Sequence, residues 1–449
     1  MKQVLKSIKR SSLLAFTMLI MSNQLINAQT FDIGLNKYAF NGNIEAIVTD
    51  ANGNTYVGGS FTAVDLWYGH GVSMDVTTGA ANPNFAKVAE GRIEAVVAIP
   101  GGGWYIGGTF NRVNGESRNR LARINADGSL HPFNPNIDGS VFALALDGSG
   151  NLYAGGEFTS VGGSTRGRLC KFDNTGDLTP FDPNMSSTVF ALALDGSGNL
   201  YAGGQFTSVG GVTRNRLCKF DNSGDLTPFD PNMSSTVRAL AHDGSGNLYA
   251  GGMFTAVGGS TRNRLCKFDH TGDLTSFDPN INGTVRALAL DGSGNLYAGG
   301  QFISVGGVTR NRLCKFDNSG DLTPFDPNMN DWVYALVLDG SGNLYAGGVF
   351  TAVGGTTRNR LCKFDNSGDL TPFDPNMNAA VWGLALDGSG NLYAGGSFTA
   401  VGGSTTRNYL CKFDNMGNLT LFDPSINSAV LALALDGSGN LYAGGGSML

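Results

Sequence analysis

The sequence predicts an all-β fold, a β-propeller of four-stranded antiparallel blades, from three observations: a repeat period of 48 residues, four strand-like runs in each period, and 67 glycines in 449 residues. Tyr56, Tyr105, Tyr153, Tyr201, Tyr249, Tyr297, Tyr345, Tyr393 and Tyr442 follow one another at 49, then six times at 48, then at 49 residues. Seven of them, from Tyr153 onward, sit in an identical string, Asp-Gly-Ser-Gly-Asn-Leu-Tyr-Ala-Gly-Gly. Hydrophobic residues make up 41 %, too many for a disordered chain, and the glycines lack the three-residue period of collagen.

Residues 1–28 read as a bacterial secretory signal peptide. Lys2, Lys6, Lys9 and Arg10 precede an apolar run from Leu13 to Met21, and Ile26-Asn27-Ala28 puts a small residue before the expected cut. The run is shorter than the ~20 residues a bilayer-spanning helix needs, so no membrane span is expected. Removing this segment takes the formal net charge from −6 to −10, an acidic balance that disfavours nucleic acid as a partner. The mature chain, 29–449, is expected to be a single exported or cell-surface domain and a monomer.

Within a period the strands follow from local chemistry. Residues 141–146, Val-Phe-Ala-Leu-Ala-Leu, form an apolar run, and Asp147-Gly148-Ser149-Gly150 turns the chain into Asn151-Leu-Tyr-Ala-Gly-Gly. A glycine-rich connection through Val161-Gly162-Gly163 leads to a third strand, Arg168-Leu-Cys-Lys-Phe-Asp. Asn174-Thr175-Gly176 then turns into a fourth, Leu178-Thr-Pro-Phe-Asp-Pro. The first strand is apolar on both faces, as crowding round an axis demands. The fourth carries Pro180 and Pro183, with Pro228 and Pro231, Pro324 and Pro327, and Pro372 and Pro375 at matching places, and proline is tolerated at a sheet edge. The order is therefore inner strand first and rim strand last.

The frame ALALDGSGNLYAGG…RLCKFDNTGDLTPF resembles the NHL-type propeller repeat, and the copy Asn119-Arg-Leu-Ala-Arg-Ile-Asn-Ala-Asp-Gly-Ser-Leu130 is similar to the delta-sixty class of bacterial propeller repeats. The resemblance covers residues 44 to 449 and implies an exported β-propeller, with no catalytic motif to carry over. Inner strands starting at Ile44, Ile93, Val141, Val189, Val237, Val285, Val333 and Val381 count eight complete units, and a ninth hairpin starts at Val430. An eight-bladed ring is expected, with 430–449 as a surplus or closing hairpin; nine blades are the alternative.

Cys170, Cys218, Cys266, Cys314, Cys362 and Cys411 occupy one place on successive third strands. Neighbours would stand ~14 Å apart on such a ring, given ~4.8 Å between strands. A disulfide needs Cα atoms within about 7 Å, so six buried thiols are expected. His70, His131, His242 and His270 show no ligand spacing, and the Asp147 turn has Leu152 and Phe158 where a calcium loop needs Gly and Glu, so no metal is expected. Four tryptophans do not recur once per repeat, which disfavours a quinone cofactor, and no cofactor is expected. The arginine pairs such as Arg166 and Arg168 are expected to meet nearby aspartates rather than to form a free basic ring.

The repeats differ most at the second residue of the inner strand, which reads Glu45, Glu94, Phe142, Phe190, Arg238, Arg286, Tyr334 and Trp382, with Leu431 in the last hairpin. These residues are the candidate ligand-binding set, an aromatic-flanked, charge-polarised channel mouth. A non-enzymatic binding or scaffold protein, recognising an extracellular glycan or protein, is the expected function. A glycosidase-like enzyme using Glu45 and Glu94 is one alternative, and a structural spacer or adhesin the other.

Overall fold

A computed structural model of the chain describes residues 38–40, 44–49, 55–59, 64–66, 71–74, 86, 88–100, 102–243, 245–424, 429–435 and 441–445. The leader at 1–28 lies outside the described residues, as do the side chains of Glu45 and of every other residue before Ala86. The chain divides into two compact units, Met1–Trp67 and Tyr68–Leu449. In the first, Tyr38–Phe40 pairs antiparallel with Val64–Leu66, and Ile44–Thr49 with Thr55–Gly59. All regular structure among the described residues is β-strand.

The second unit repeats one pattern. In the copy at 141, the first strand Val141–Leu146 pairs with the second, Leu152–Gly156, and that with the third, Leu169–Phe172. The turn between the first two strands is built by Asp147, whose Oδ1 accepts the Ser149 and Asn151 amides at 3.0 and 2.9 Å while Oδ2 accepts Asn151 Nδ2 at 2.8 Å. Gly150 sits there at φ +82°, a backbone region that costs glycine nothing. This turn is what the Asp-Gly-Ser-Gly-Asn string builds. Lys171 Nζ, on the third strand, lies 3.7 Å from Asp147 Oδ2 and 4.8 Å over the Tyr153 ring, so one residue from each strand is tied at this end of the sheet.

The four-stranded meander expected of each repeat is replaced by a three-stranded sheet and a separate small hairpin. The glycine-rich connection folds on itself, Ser160–Val161 pairing with Ser164–Thr165. Ile137, ahead of the first strand, adds a bridge to Val161. The proline-bearing segment contributes one bridge, Phe172 to Leu178, and no regular strand. Pro180 and Pro183 have no amide hydrogen to extend the ladder.

What that segment supplies instead is packing. Phe181 meets Tyr153 of its own repeat edge-on at 5.9 Å and Phe220 of the next repeat at 5.2 Å, and the same T-shaped relay recurs along the unit. The cores accordingly lie between repeats: Tyr153 and Leu169 bury with Val189, Leu200, Phe206 and Cys218. All six cysteines are free and fully buried in these layers, as the sequence predicts. Burial pushes each thiol's pKa far up. The first arginine of each pair meets an aspartate, as in Arg262 to Asp278 at 3.3 Å, and Arg216, Arg264, Arg312 and Arg360 donate to backbone carbonyls, as in Arg312 Nη1 to Phe302 O at 2.9 Å.

Each first strand lies against those of the repeats on either side, in the order Ile93–Ala98, Val141–Leu146, Val189–Leu194, Val237–His242, Val285–Leu290, Val333–Leu338, Val381–Leu386 and Val430–Leu435. Val430–Leu435 then lies against Ile93–Ala98. Its hairpin partner, Leu441–Gly445, takes its third strand from the other end of the unit: Gly71–Met74 pairs with it in the register Leu441 to Met74 and Gly444 to Gly71.

Candidate functional site

The first strands line an open cavity of about 460 Å³. Aliphatic side chains line it, Ala95, Ala143, Ala191, Ala287 and Ala335 at one level and Val96, Leu144, Leu192, Leu336 and Leu384 at the next, although more of its exposed surface is polar than apolar. The residues in which the repeats differ stand just before these small alanines.

A structural device recurs at those positions. Val141 pairs with Gly156 and Ala143 with Gly155, so Phe142 between them has no partner and the strand bulges there. The same shift occurs at Glu94, Phe190, Arg238, Arg286, Tyr334, Trp382 and Leu431 in the second unit, and at Glu45 in the first. A bulge bends its strand and re-aims one side chain. Glu94, Phe142, Phe190, Tyr334 and Leu431 line the cavity directly.

Neighbouring bulge residues touch in series. Phe142 and Phe190 have ring centroids 5.7 Å apart, tilted by 35°. The Arg238 guanidinium lies 5.0 Å over Phe190, and that of Arg286 lies 5.4 Å over Tyr334. Tyr334 packs on Trp382 at 4.5 Å, and Trp332, 39 % exposed, meets the other side of Tyr334 edge-on at 6.2 Å. With its amide oxygen turned inward, Gln301 accepts from Arg286 Nη2 at 2.8 Å and Nε at 3.0 Å. Burial, then the charge of Arg286, pushes the pKa of Arg238 down.

Of the two acids in the candidate set, Glu45 and Glu94, Glu94 is at the cavity, 3.6 Å from Arg92 Nε. Burial raises its pKa and Arg92 opposes the rise. Glu45 belongs to the other unit and its side chain lies outside the described residues; in the cyclic order of first strands, Leu431 is the bulge residue next to Glu94. The sequence also gave no sign of Gln301, or of the bulge itself, which depends on a pairing register rather than on residue type. His242 stands where the neighbouring repeats have leucine, and is half-buried against the Tyr201 ring at 4.7 Å at the opposite end of its strand from Arg238.

Comparison with known proteins bears on the fold. Residues 102–132, 148–178, 196–226, 292–322, 340–370 and 388–419 match a family model described as a β-propeller domain of unknown function (DUF5122). A search of curated proteins gives no match. Among solved structures, the Dos1 propeller is similar at a TM-score of 0.52 and 12 % identity, over 80 % of this chain and 94 % of that one. Virginiamycin B lyase from Staphylococcus aureus is similar at a TM-score of 0.45 and 13 % identity, over 69 % of this chain and 96 % of that one. The C-terminal WD40 domain of Sif2 gives 0.46 and 11 %, over 82 % and 99 %. Likeness at these identities speaks to architecture alone. Repeated antiparallel sheets, matches to a propeller family in six repeats, and a propeller of known structure that aligns with most of the chain agree that this is a repeat protein of β-propeller fold.

Proposed function

We propose that residues 68–449 form an eight-bladed propeller, closed by the strand Gly71–Met74 on the hairpin at 430–445, and that it works outside the bacterial cell as a non-enzymatic binding module for a single extracellular ligand, in the first place a glycan. The cyclic packing of eight first strands supports the blade count, and the leader-like residues 1–28 support export.

One observation carries the binding reading. Repeats that are nearly identical elsewhere differ at the bulge, and there the differences assemble a contiguous row of aromatic and cationic side chains over a 460 Å³ cavity. Ligand pockets combine apolar side chains with a few placed polar groups in this way. Identical blades would offer eight weak equivalent sites, whereas a ring made unequal offers one.

A glycan array screened with the mature chain, followed by calorimetry on the hits, tests this. One ligand per chain is expected, with affinity reduced about tenfold or more by Tyr334→Ala or Trp382→Ala. Several equivalent sites per chain, turnover of the glycan, or affinity unchanged in both variants would each refute it. N-terminal sequencing of secreted material is expected to begin at Gln29.

A further inference from the structure

We infer that the ligand of this mouth is an acidic oligosaccharide, a short chain of sugars whose carboxylate or sulfate group is held between Arg238 and Arg286. The inference rests on the binding reading above and adds the chemical class. The two arginines sit at equivalent bulges of adjacent repeats, both exposed, and neither has a carboxylate partner among the described residues. Arg166, Arg214, Arg262, Arg310, Arg358 and Arg407 each lie within 3.3 to 3.7 Å of an aspartate, and the other described arginines without a carboxylate partner, such as Arg216, Arg264, Arg312 and Arg360, are half-buried. Glu94, the acid that lines the cavity, is engaged by Arg92.

Two like charges side by side repel, and here they are held in place rather than splayed. Phe190 lies under one guanidinium and Tyr334 under the other, and Gln301 accepts from two nitrogens of Arg286. Such preorganisation pre-empts the rotamer entropy that binding would otherwise cost. A guanidinium fork matches the two oxygens of a carboxylate or sulfate, and a pair of forks can share one such group or hold two in succession.

The surroundings select among anions. On each side of the arginines lies an aromatic pair, Phe142 with Phe190 and Tyr334 with Trp382, so the row alternates flat apolar faces with cationic charge. Acidic sugars repeat that alternation, presenting the apolar C–H face of a ring beside one anionic group. The open cavity beside this row, about 460 Å³ and lined by Phe142, Phe190 and Tyr334, has room for about two to three such rings. A long polyanion is opposed by the protein's net charge of −6, which rises to −10 without the leader.

Calorimetry of the mature chain against four probes tests this: trigalacturonic acid, its neutral counterpart galactotriose, a chondroitin sulfate tetrasaccharide, and a penta-glutamate peptide. The acidic sugars are expected to bind at one per chain, at least about tenfold tighter than galactotriose. Arg238→Gln and Arg286→Gln should each lose about tenfold and the double variant more, with Tm unchanged because both side chains are exposed. Galactotriose binding equally well, with the double variant unaffected while Trp382→Ala abolishes binding, would overturn the anionic class and leave the mouth as a binding site. Affinity insensitive to Trp382→Ala, Tyr334→Ala and both arginine variants would remove the mouth itself. Tight binding of the peptide alone, or no acidic sugar bound at about 1 mM, would refute the carbohydrate class.

Discussion

A β-carbon placed on Gly155 would stand 2.7 Å from Cγ1 of Val189, the first residue of the next repeat's first strand. The relation recurs between Gly203 and Val237, Gly299 and Val333, and Gly347 and Val381, always across the junction of two repeats. The first glycine of each Ala-Gly-Gly is thus the seat of the neighbouring sheet. The second meets its own repeat, a β-carbon on Gly156 coming within van der Waals overlap of Ser140 O, beside the bulge.

From this, Gly203→Ala is expected to destabilise by about 1–3 kcal/mol, since the valine opposite is fully buried and has no room to retreat. Gly196→Ala, at a turn position with nothing within 4 Å, should change stability by less than about 0.5 kcal/mol. Denaturant unfolding of the two variants beside the parent measures the contrast.

Acid should weaken the fold through the turn aspartates. At Asp195, Asp243, Asp291, Asp339 and Asp387 burial alone would raise the pKa, but hydrogen bonds from the asparagine four residues on and from backbone amides outweigh it and the net shift is down. A carboxyl whose folded pKa lies below its unfolded one stabilises above the unfolded value and loses that contribution as pH falls through the folded one. Tm is therefore expected to hold from neutral pH to about pH 5 and to fall progressively below about pH 4. Asp195→Asn combined with Asp291→Asn should lower Tm at pH 7 and make its decline in acid shallower. A parallel decline in parent and variant would show that these turns do not drive it.

Closure by the chain's two ends has a direct test. Val430 and Leu441 are 2 % and 0 % exposed, and the hairpin that carries them lies between Val381–Leu386 and Ile93–Ala98 while pairing with Gly71–Met74. Deleting 430–449 is expected to cost about 5 kcal/mol or more, a fall in Tm of about 10 °C or greater, because it bares two core layers and an unpaired edge at once. A deletion variant that melts with the parent would mean the ring does not depend on that hairpin.

Much of the fold could be read from the chain because a repeat states its own rules many times. The period, the Asp-Gly-Ser-Gly-Asn turn, the inner position of Val141–Leu146 and the burial of six thiols all follow from side-chain type and spacing, which are local properties. The fourth strand was misjudged for a local reason as well: proline marks where a ladder stops, and that alone does not distinguish an edge strand from a segment that only packs Phe181 against its neighbours.

Sequence by itself determined that this is a tandem array of β-sheets and singled out Glu94, Phe142, Phe190, Arg238, Arg286, Tyr334 and Trp382 as the positions where copies diverge. Tertiary structure alone decided that each of these is a bulge, that Phe190 and Tyr334 lie under the two arginines, and that Leu431 is the bulge residue of the strand beside Glu94's. The reason is physical: which side chains meet across a junction depends on register and on which strands come together, and Gly71–Met74 and Leu441–Gly445, distant in the chain, are brought side by side by the tertiary arrangement.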